Sequence, residues 1–259
     1  MQNQLKIAYL QSDLIWENPK QNRKHFKQKI EDITKPVDVI LLPEMFTTGF
    51  TMNAKDNAET MTGKSVEWMQ KIANSKNAAV VGSLIIEEDN AFYNRLCFVE
   101  PDGTIHKYDK RHTFSLAGED KVFSAGSDKL VIDFRGWKIC PLICYDLRFP
   151  VWSRNVEDYD LLLYVANWPK PRIQAWDALL KARAIENMTY CIGVNRIGVD
   201  EKENEYCGHS AAYDVLGNVM LPIKPNKDLT EIVTLERNHI TFYRNKLRFL
   251  NDKDRFTLE

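Results

Sequence analysis

No stretch of this sequence stays apolar for the ~20 residues that a membrane-spanning helix needs. Charge of one sign is not in excess either. The chain has 35 Lys and Arg against 36 Asp and Glu, a net charge of −1, which removes any bulk electrostatic case for nucleic acid or an anionic membrane. Cysteine is scarce and unpatterned: five residues, an odd number, with no C-x-x-C pair and no framework spacing. No targeting segment is read ahead of Leu5, where a strand begins almost at the first residue. Reduced thiols in a cytoplasmic protein are therefore the expectation. Metal ligation has little to build on. Cys140 and Cys144 share one face of a strand-like segment but lie apart along it, and no second pair completes a tetrahedral set. A phosphate loop is also missing, since Gly63–Lys64–Ser65 resembles only the end of one and follows no strand. Neither a metal nor a cofactor is expected.

What is present suffices for a sizeable core: 44% of the 259 residues are hydrophobic and 27% charged. Leu5–Leu10 reads as a strand and Asn18–Ile33 as a surface helix with Phe26, Ile30 and Ile33 at helical spacing. Val37–Leu42 is a nearly continuous apolar run, suited to a strand covered on both faces. Ser65–Ala73 reads as a helix, and Ala78–Ile86 and Phe92–Val99 as paired strands. The loop Tyr108–Gly126 is long, polar and aperiodic, as functional loops often are. A hairpin, Leu130–Phe134 with Trp137–Cys144, follows; then a helix opening at Pro150–Asn155, a strand Tyr159–Ala166, a helix Arg172–Asn187 and strands at Tyr190–Val194, Ser210–Asp214 and Glu231–Leu235. Strands and helices interleave without repeat, linker or composition break. The expectation is one α/β domain over 1–259 with more than one layer of helices, its residues 236–259 forming a tail on the body or on a partner.

Three places could carry chemistry. Cys144 ends an apolar run and is followed at once by the turn-prone Tyr145–Asp146. A thiol at such a corner has free backbone N–H groups beside it, although most cysteines that end a core strand are only packed there. Glu44 follows a probable central strand and one proline, where a carboxylate is costly unless bonded or used. A cap or a satisfied ion pair would explain it equally well. Lys110 lies in Tyr108–Asp109–Lys110–Arg111–His112, a cluster that would by itself be read as a solvated charge run, with Asp109 and Arg111 structural. The five histidines are His25, His106, His112, His209 and His239, and none stands in a recognisable thiol-protease context. His209 reads as a packing or hydrogen-bonding residue.

Taken together and in this order, L-L-P-E-M-F-T-T-G-F around Glu44, Y-D-K-R-H-T-F around Lys110 and I-C-Y-D-L-R-F-P around Cys144 resemble the nitrilase superfamily of carbon–nitrogen hydrolases. The likeness runs from Leu5 to about Leu235, and one departure is Thr113, where relatives usually have leucine. The finer pattern, including V-W-S-R-N, Y-V-A-N-W-P and A-R-A-I-E-N, resembles the omega-amidase branch, which hydrolyses 2-oxoglutaramate and related ω-monoamides. The resemblance implies an α-β-β-α four-layer sandwich, a Glu-Lys-Cys triad and a thioester intermediate. It implies a second carboxylate at Glu119, no cofactor, and a homodimer or higher even oligomer whose contacts would be sought at Pro150–Asn155, Arg172–Asn187 and the tail. A glutamine transaminase is the implied pathway partner. Cys144 would be the nucleophile, Glu44 the base, and Lys110 would lower the thiol pKa and hold the oxyanion with the N–H of Tyr145. Glu119 would orient Lys110. An ω-amide of a 2-oxo acid carries a distant carboxylate and wants a guanidinium. Arg172 is the candidate, though it reads equally as an exposed helix-start residue. Tyr145, Trp168 and Phe46 are candidates to wall the pocket, and Arg148 is expected in a buried structural ion pair. Another small amide, a carbamoyl compound or a nitrile is the alternative substrate. A silent binding protein on this fold would be expected to have lost one of the three residues.

Overall fold

The computed structural model describes residues 2–258. In chain order it contains β1 (Gln4–Gln11), α1 (Pro19–Glu31), β2 (Val39–Leu41), α2 (Ala54–Asn57), α3 (Lys64–Lys76), β3 (Ala79–Glu88), β4 (Ala91–Val99) and β5 (Ile105–Asp109). There follow β6 (Ile132–Phe134), β7 (Trp137–Ile143), β8 (Leu161–Ala166), α4 (Ile173–Asn187), β9 (Tyr190–Asn195), β10 (Ile197–Val199), β11 (Glu205–Cys207), β12 (Ala211–Tyr213), β13 (Leu229–Glu236) and α5 (Arg237–Leu247). Six strands form one sheet in the order β13-β1-β2-β3-β4-β5, and five form a second in the order β12-β9-β8-β7-β6.

Alternation along the strands assigns the layers. Leu5, Ile7 and Tyr9 of β1, with Val39, Leu41, Val81 and Phe98, face the second sheet and share its core. Their neighbours Ala8, Leu10, Ile40, Leu42 and Val80 face the other way, onto Phe26 and Ile30 of α1 and Val66, Met69 and Ile72 of α3. Strands β7, β8 and β9 run parallel; β8 and β9 are buried throughout, and β7 is from Ile139 onward, as their apolar runs require. Trp176, Leu180 and Ala184 of α4 cover the outer face of this sheet. The outcome is the expected α-β-β-α sandwich. Among the described residues no helix is long and apolar enough to cross a membrane.

Several local expectations change. Pro150–Asn155 forms turns, not a helix. Asn155 gives its Nδ2 to the carbonyls of Tyr159 and Asn187, at 2.9 and 3.1 Å, and Ser153 gives its hydroxyl to the Phe149 carbonyl at 3.2 Å. These side-chain bonds take the place of a helical ladder that six residues would sustain poorly. β10 and β11 form a hairpin that the sequence does not announce, because three-residue strands carry no usable period. Residues past 236 begin with α5, which packs on the body: Ile240 is buried in the shared core, and Arg244 bonds the carbonyls of Met188 and Tyr159 at 2.8 and 2.6 Å.

The core also fixes a pH response. Cys97, Cys140, Cys144 and Cys191 are all buried. Burial pushes the thiols of Cys97 and Cys140 up to about 12, and those of Cys144 and Cys191 upward as well. Above an ordinary thiol pKa the unfolded chain releases these protons while the folded chain keeps them. The unfolded state then binds fewer protons, so stability falls as pH rises from about 9 toward 12. Melting temperature under reducing conditions should decline steadily from about pH 8.5 upward; a flat profile through about pH 10.5 would contradict this account.

Candidate active site

Four chain segments meet where β2, β5, β7 and β8 end. Glu44 follows β2, Lys110 follows β5, Cys144 follows β7 and Asn167 follows β8. The carboxyl ends of strands are where an α/β sheet leaves its backbone free to build a site. The aperiodic loop beyond Lys110 is tied at its neck: the Lys110 N–H donates to the Asn94 carbonyl, and the Gly126 N–H returns to the Lys110 carbonyl, both at 3.0 Å. Gly126 must be glycine, because a Cβ there would lie 2.2 Å from the Asp109 carbonyl oxygen. Inside this loop a short turn, Glu119–Lys121, brings Glu119 back onto Lys110.

The resulting cluster is almost fully buried, with Glu44 and Glu119 at 0% and Lys110 at 1% exposure. Lys110 Nζ lies 2.9 Å from Glu44 Oε1 and 3.0 and 2.8 Å from the two oxygens of Glu119. Asn94, from β4, gives its Nδ2 to Glu44 at 2.8 Å and Glu119 at 3.1 Å, so one amide bridges both acids. The Phe114 N–H caps Glu119 at 2.5 Å, and the Asn167 N–H holds the second oxygen of Glu44 at 2.9 Å. Two carboxylates against one ammonium leave one negative charge in excess. Burial opposes the ammonium of Lys110, but Glu119 and then Glu44 outweigh it and hold its pKa above the ordinary value. Burial raises Glu119, which Lys110 counteracts in part.

Cys144 faces this cluster at 9% exposure, with backbone φ of +42°. A left-handed, non-glycine residue at the end of a strand is strained and needs surroundings that hold it. Asp146 supplies them. It accepts the Ile143 N–H at 3.0 Å, the Tyr108 hydroxyl at 2.7 Å and the His112 N–H at 3.1 Å, and His112 Nδ1 lies 2.8 Å away. The His112 ring is stacked on Phe149, centroids 3.7 Å apart. Burial and then Glu44 push the Cys144 thiol well above its ordinary pKa, with Lys110 opposing them. Lys110 does draw the thiol pKa down, but burial first and the two carboxylates after it outweigh that pull. Histidine takes other work: His112 serves Asp146, His25 bonds Ser12, His106 bonds Glu100, and His209 lies against Asp177.

Cys144 and Lys110 open into one cleft with about 570 Å³ of empty volume, its mouth included. Tyr145, Trp168 and Arg172 line it, with Phe50, Phe114 and Tyr206 as further aromatic walls. Phe46 does not. It is 0% exposed and packs edge-on to Phe26 and against Trp68, both at 5.7 Å between centroids. Met45, at φ +42°, breaks the strand parity after Glu44, and Phe50 reaches the cleft instead. Arg148 also departs from expectation: it lines the cleft over the Trp168 ring, 4.9 Å from its centroid, and is not in a buried ion pair. Asn94 and Asn167 gave no sequence signal beyond being polar within or just after apolar strands.

Comparison with known proteins agrees with this geometry. The carbon–nitrogen hydrolase family profile matches residues 6–245. The chain is 44% identical over 254 residues to omega-amidase YafV of Yersinia enterocolitica, covering 98% of each. It is 36% identical over 219 residues to 2-oxoglutaramate amidase of Bacillus subtilis, covering 83% of this chain and 84% of that one. A crystal structure of a CN-hydrolase superfamily protein from Xanthomonas campestris, with an arsenic adduct in its active site, superposes with a TM-score of 0.97 at 38% identity over the whole of both chains.

Proposed function

The chain belongs to the carbon–nitrogen hydrolase family, and on that footing we propose that it is an omega-amidase releasing ammonia from 2-oxoglutaramate or a similar 2-oxo acid monoamide. The observation that carries this reading is the buried Glu44–Lys110–Glu119 cluster facing Cys144 at the floor of one cleft. Cys144 rests as a thiol. As its sulfur attacks the amide carbon, Glu44 takes the thiol proton. The oxyanion receives hydrogen bonds from Lys110 Nζ and from the N–H of Tyr145, which as an early residue of its turn has no partner within it. Collapse breaks the C–N bond, the nitrogen takes the proton held by Glu44, and ammonia leaves a thioester on Cys144. Water attacks next, giving its proton to Glu44; the C–S bond then breaks and the proton returns to sulfur. Glu119 keeps Lys110 aimed, and Asn94 holds the two acids at a fixed separation.

We further propose that residues 1–259 act as one catalytic domain in the cytoplasm, where thiols stay reduced, and that the protein works as a homodimer or higher even oligomer. Ile185 on α4 and Phe242 on α5, 45% and 57% exposed, offer apolar contacts for that association. Transamination of glutamine would supply the 2-oxo amide. The test is ammonia release by the purified protein from 2-oxoglutaramate. Efficient release supports the assignment. No release by folded protein would overturn the substrate and direct assays to other ω-amides, carbamoyl compounds and nitriles.

A further inference from the structure

The three arginines buried among the described residues are matched by carboxylates, Arg95 by Asp109 and Glu88, Arg183 by Glu186 and Arg196 by Asp13, and two half-buried ones at the cleft are not. Arg148 and Arg172 differ. Both line the cleft, and both rest on aromatic faces. The Arg148 guanidinium sits 4.9 Å from the centroid of Trp168 and that of Arg172 5.2 Å from that of Phe114. Among the described residues neither side chain has an ion pair or an acceptor for its N–H groups. Stacking on a ring fixes the plane of a guanidinium while leaving its in-plane donors free. The rings are themselves braced: Phe114 tilts against Tyr145 at 4.9 Å, Tyr145 against Phe149 at 5.1 Å, and the Trp168 Nε1–H donates to the Arg172 carbonyl at 2.8 Å.

Charge is therefore divided within the cleft. The reacting end carries a net −1 from Glu44, Glu119 and Lys110, while the walls carry two uncompensated positive charges. A carboxylate entering here is repelled by the first and drawn to the second. We propose that Arg148 and Arg172 form a two-guanidinium clamp for the substrate's distal carboxylate and the oxo group beside it, and that this division of charge sets the direction in which the amide enters. The inference rests on the omega-amidase reading and deepens it. The amides accepted must bear an anion several bonds from the scissile carbon, and neutral amides of equal length are poor substrates.

The test compares kcat/KM for 2-oxoglutaramate with that for its methyl ester, which keeps the length and removes the charge. Wild type should favour the acid strongly. Arg148→Gln and Arg172→Gln should each lower the acid-to-ester ratio about 10- to 100-fold, since a charged hydrogen-bonded pair is lost, mainly through KM. Arg172→Lys, which keeps charge without the fork, should lie between. Melting curves confirm that each variant is folded. An unchanged ratio in both glutamine variants, with wild type still favouring the acid, would overturn the clamp and leave the omega-amidase reading standing. A wild type that favours neither compound would overturn the clamp while leaving an amidase, and one that hydrolyses neither would overturn both.

Discussion

Cys144→Ala is expected to abolish ammonia release, a loss of about 10⁶-fold, comparable to deleting the nucleophile of other covalent hydrolases. Its melting temperature should change little or rise. Alanine forfeits a single sulfur from the core at this corner, and with it a thiol buried beside an excess of negative charge. The strained backbone at φ +42° is held by Asp146, not by the thiol itself. Activity and stability are thus predicted to separate cleanly at this residue. The check is a steady-state ammonia assay beside a thermal melt, with Cys144→Ser as companion. Residual turnover in folded Cys144→Ala above about one part in 10⁴ would remove Cys144 from the role of nucleophile.

Lys110→Met should behave in the opposite way, losing both. One oxyanion donor disappears, worth about 10²- to 10³-fold in kcat. The variant also leaves Glu44 and Glu119, both at 0% exposure, facing each other without a cation. Breaking a buried ionic cluster by removing one partner costs about 3–5 kcal/mol, which in a chain of this size lowers the melting temperature by roughly 10 °C. The sign of the pH response identifies the cause. Without Lys110 the folded-state pKa of Glu119, already raised by burial, rises further above the unfolded value, so the folded chain binds a proton that the unfolded chain does not. Stability should then recover as pH falls from about 7 toward 5. A variant equally unstable across that range would show that Lys110 stabilises by packing alone.

The layers and the four chemical residues were legible because each is written in contiguous sequence. The alternation in β1 gives both faces of its sheet, and Glu44, Lys110, Glu119 and Cys144 each close or follow an apolar run or lie in a recognisable stretch. Residues whose role depends on register were not. Asn94 bridges the two acids only because β4 pairs beside β3 with Asn94 opposite Ile85, and no local pattern carries that pairing. Phe46 turns into the core and Phe50 lines the cleft, because the chain between them and Glu44 turns through two left-handed residues, Met45 and Gly49. The net direction of the thiol pKa was not legible either, because burial, its largest cause, is a property of the fold. A sequence shows that a lysine and two glutamates are present; only the fold shows that the thiol beside them is buried.

The negative excess around Glu44 and Glu119 acts once more, after the chemistry is finished. The amide that enters is neutral at its reacting end, but the acid that forms there ionises beside two carboxylates already sharing a single ammonium. The product is thus repelled from the place where it was made. Ejection of that end is built into the same charges that take and return the proton. The charges of the site thus hasten the departure of the product, while the direction of net turnover stays that of amide hydrolysis itself.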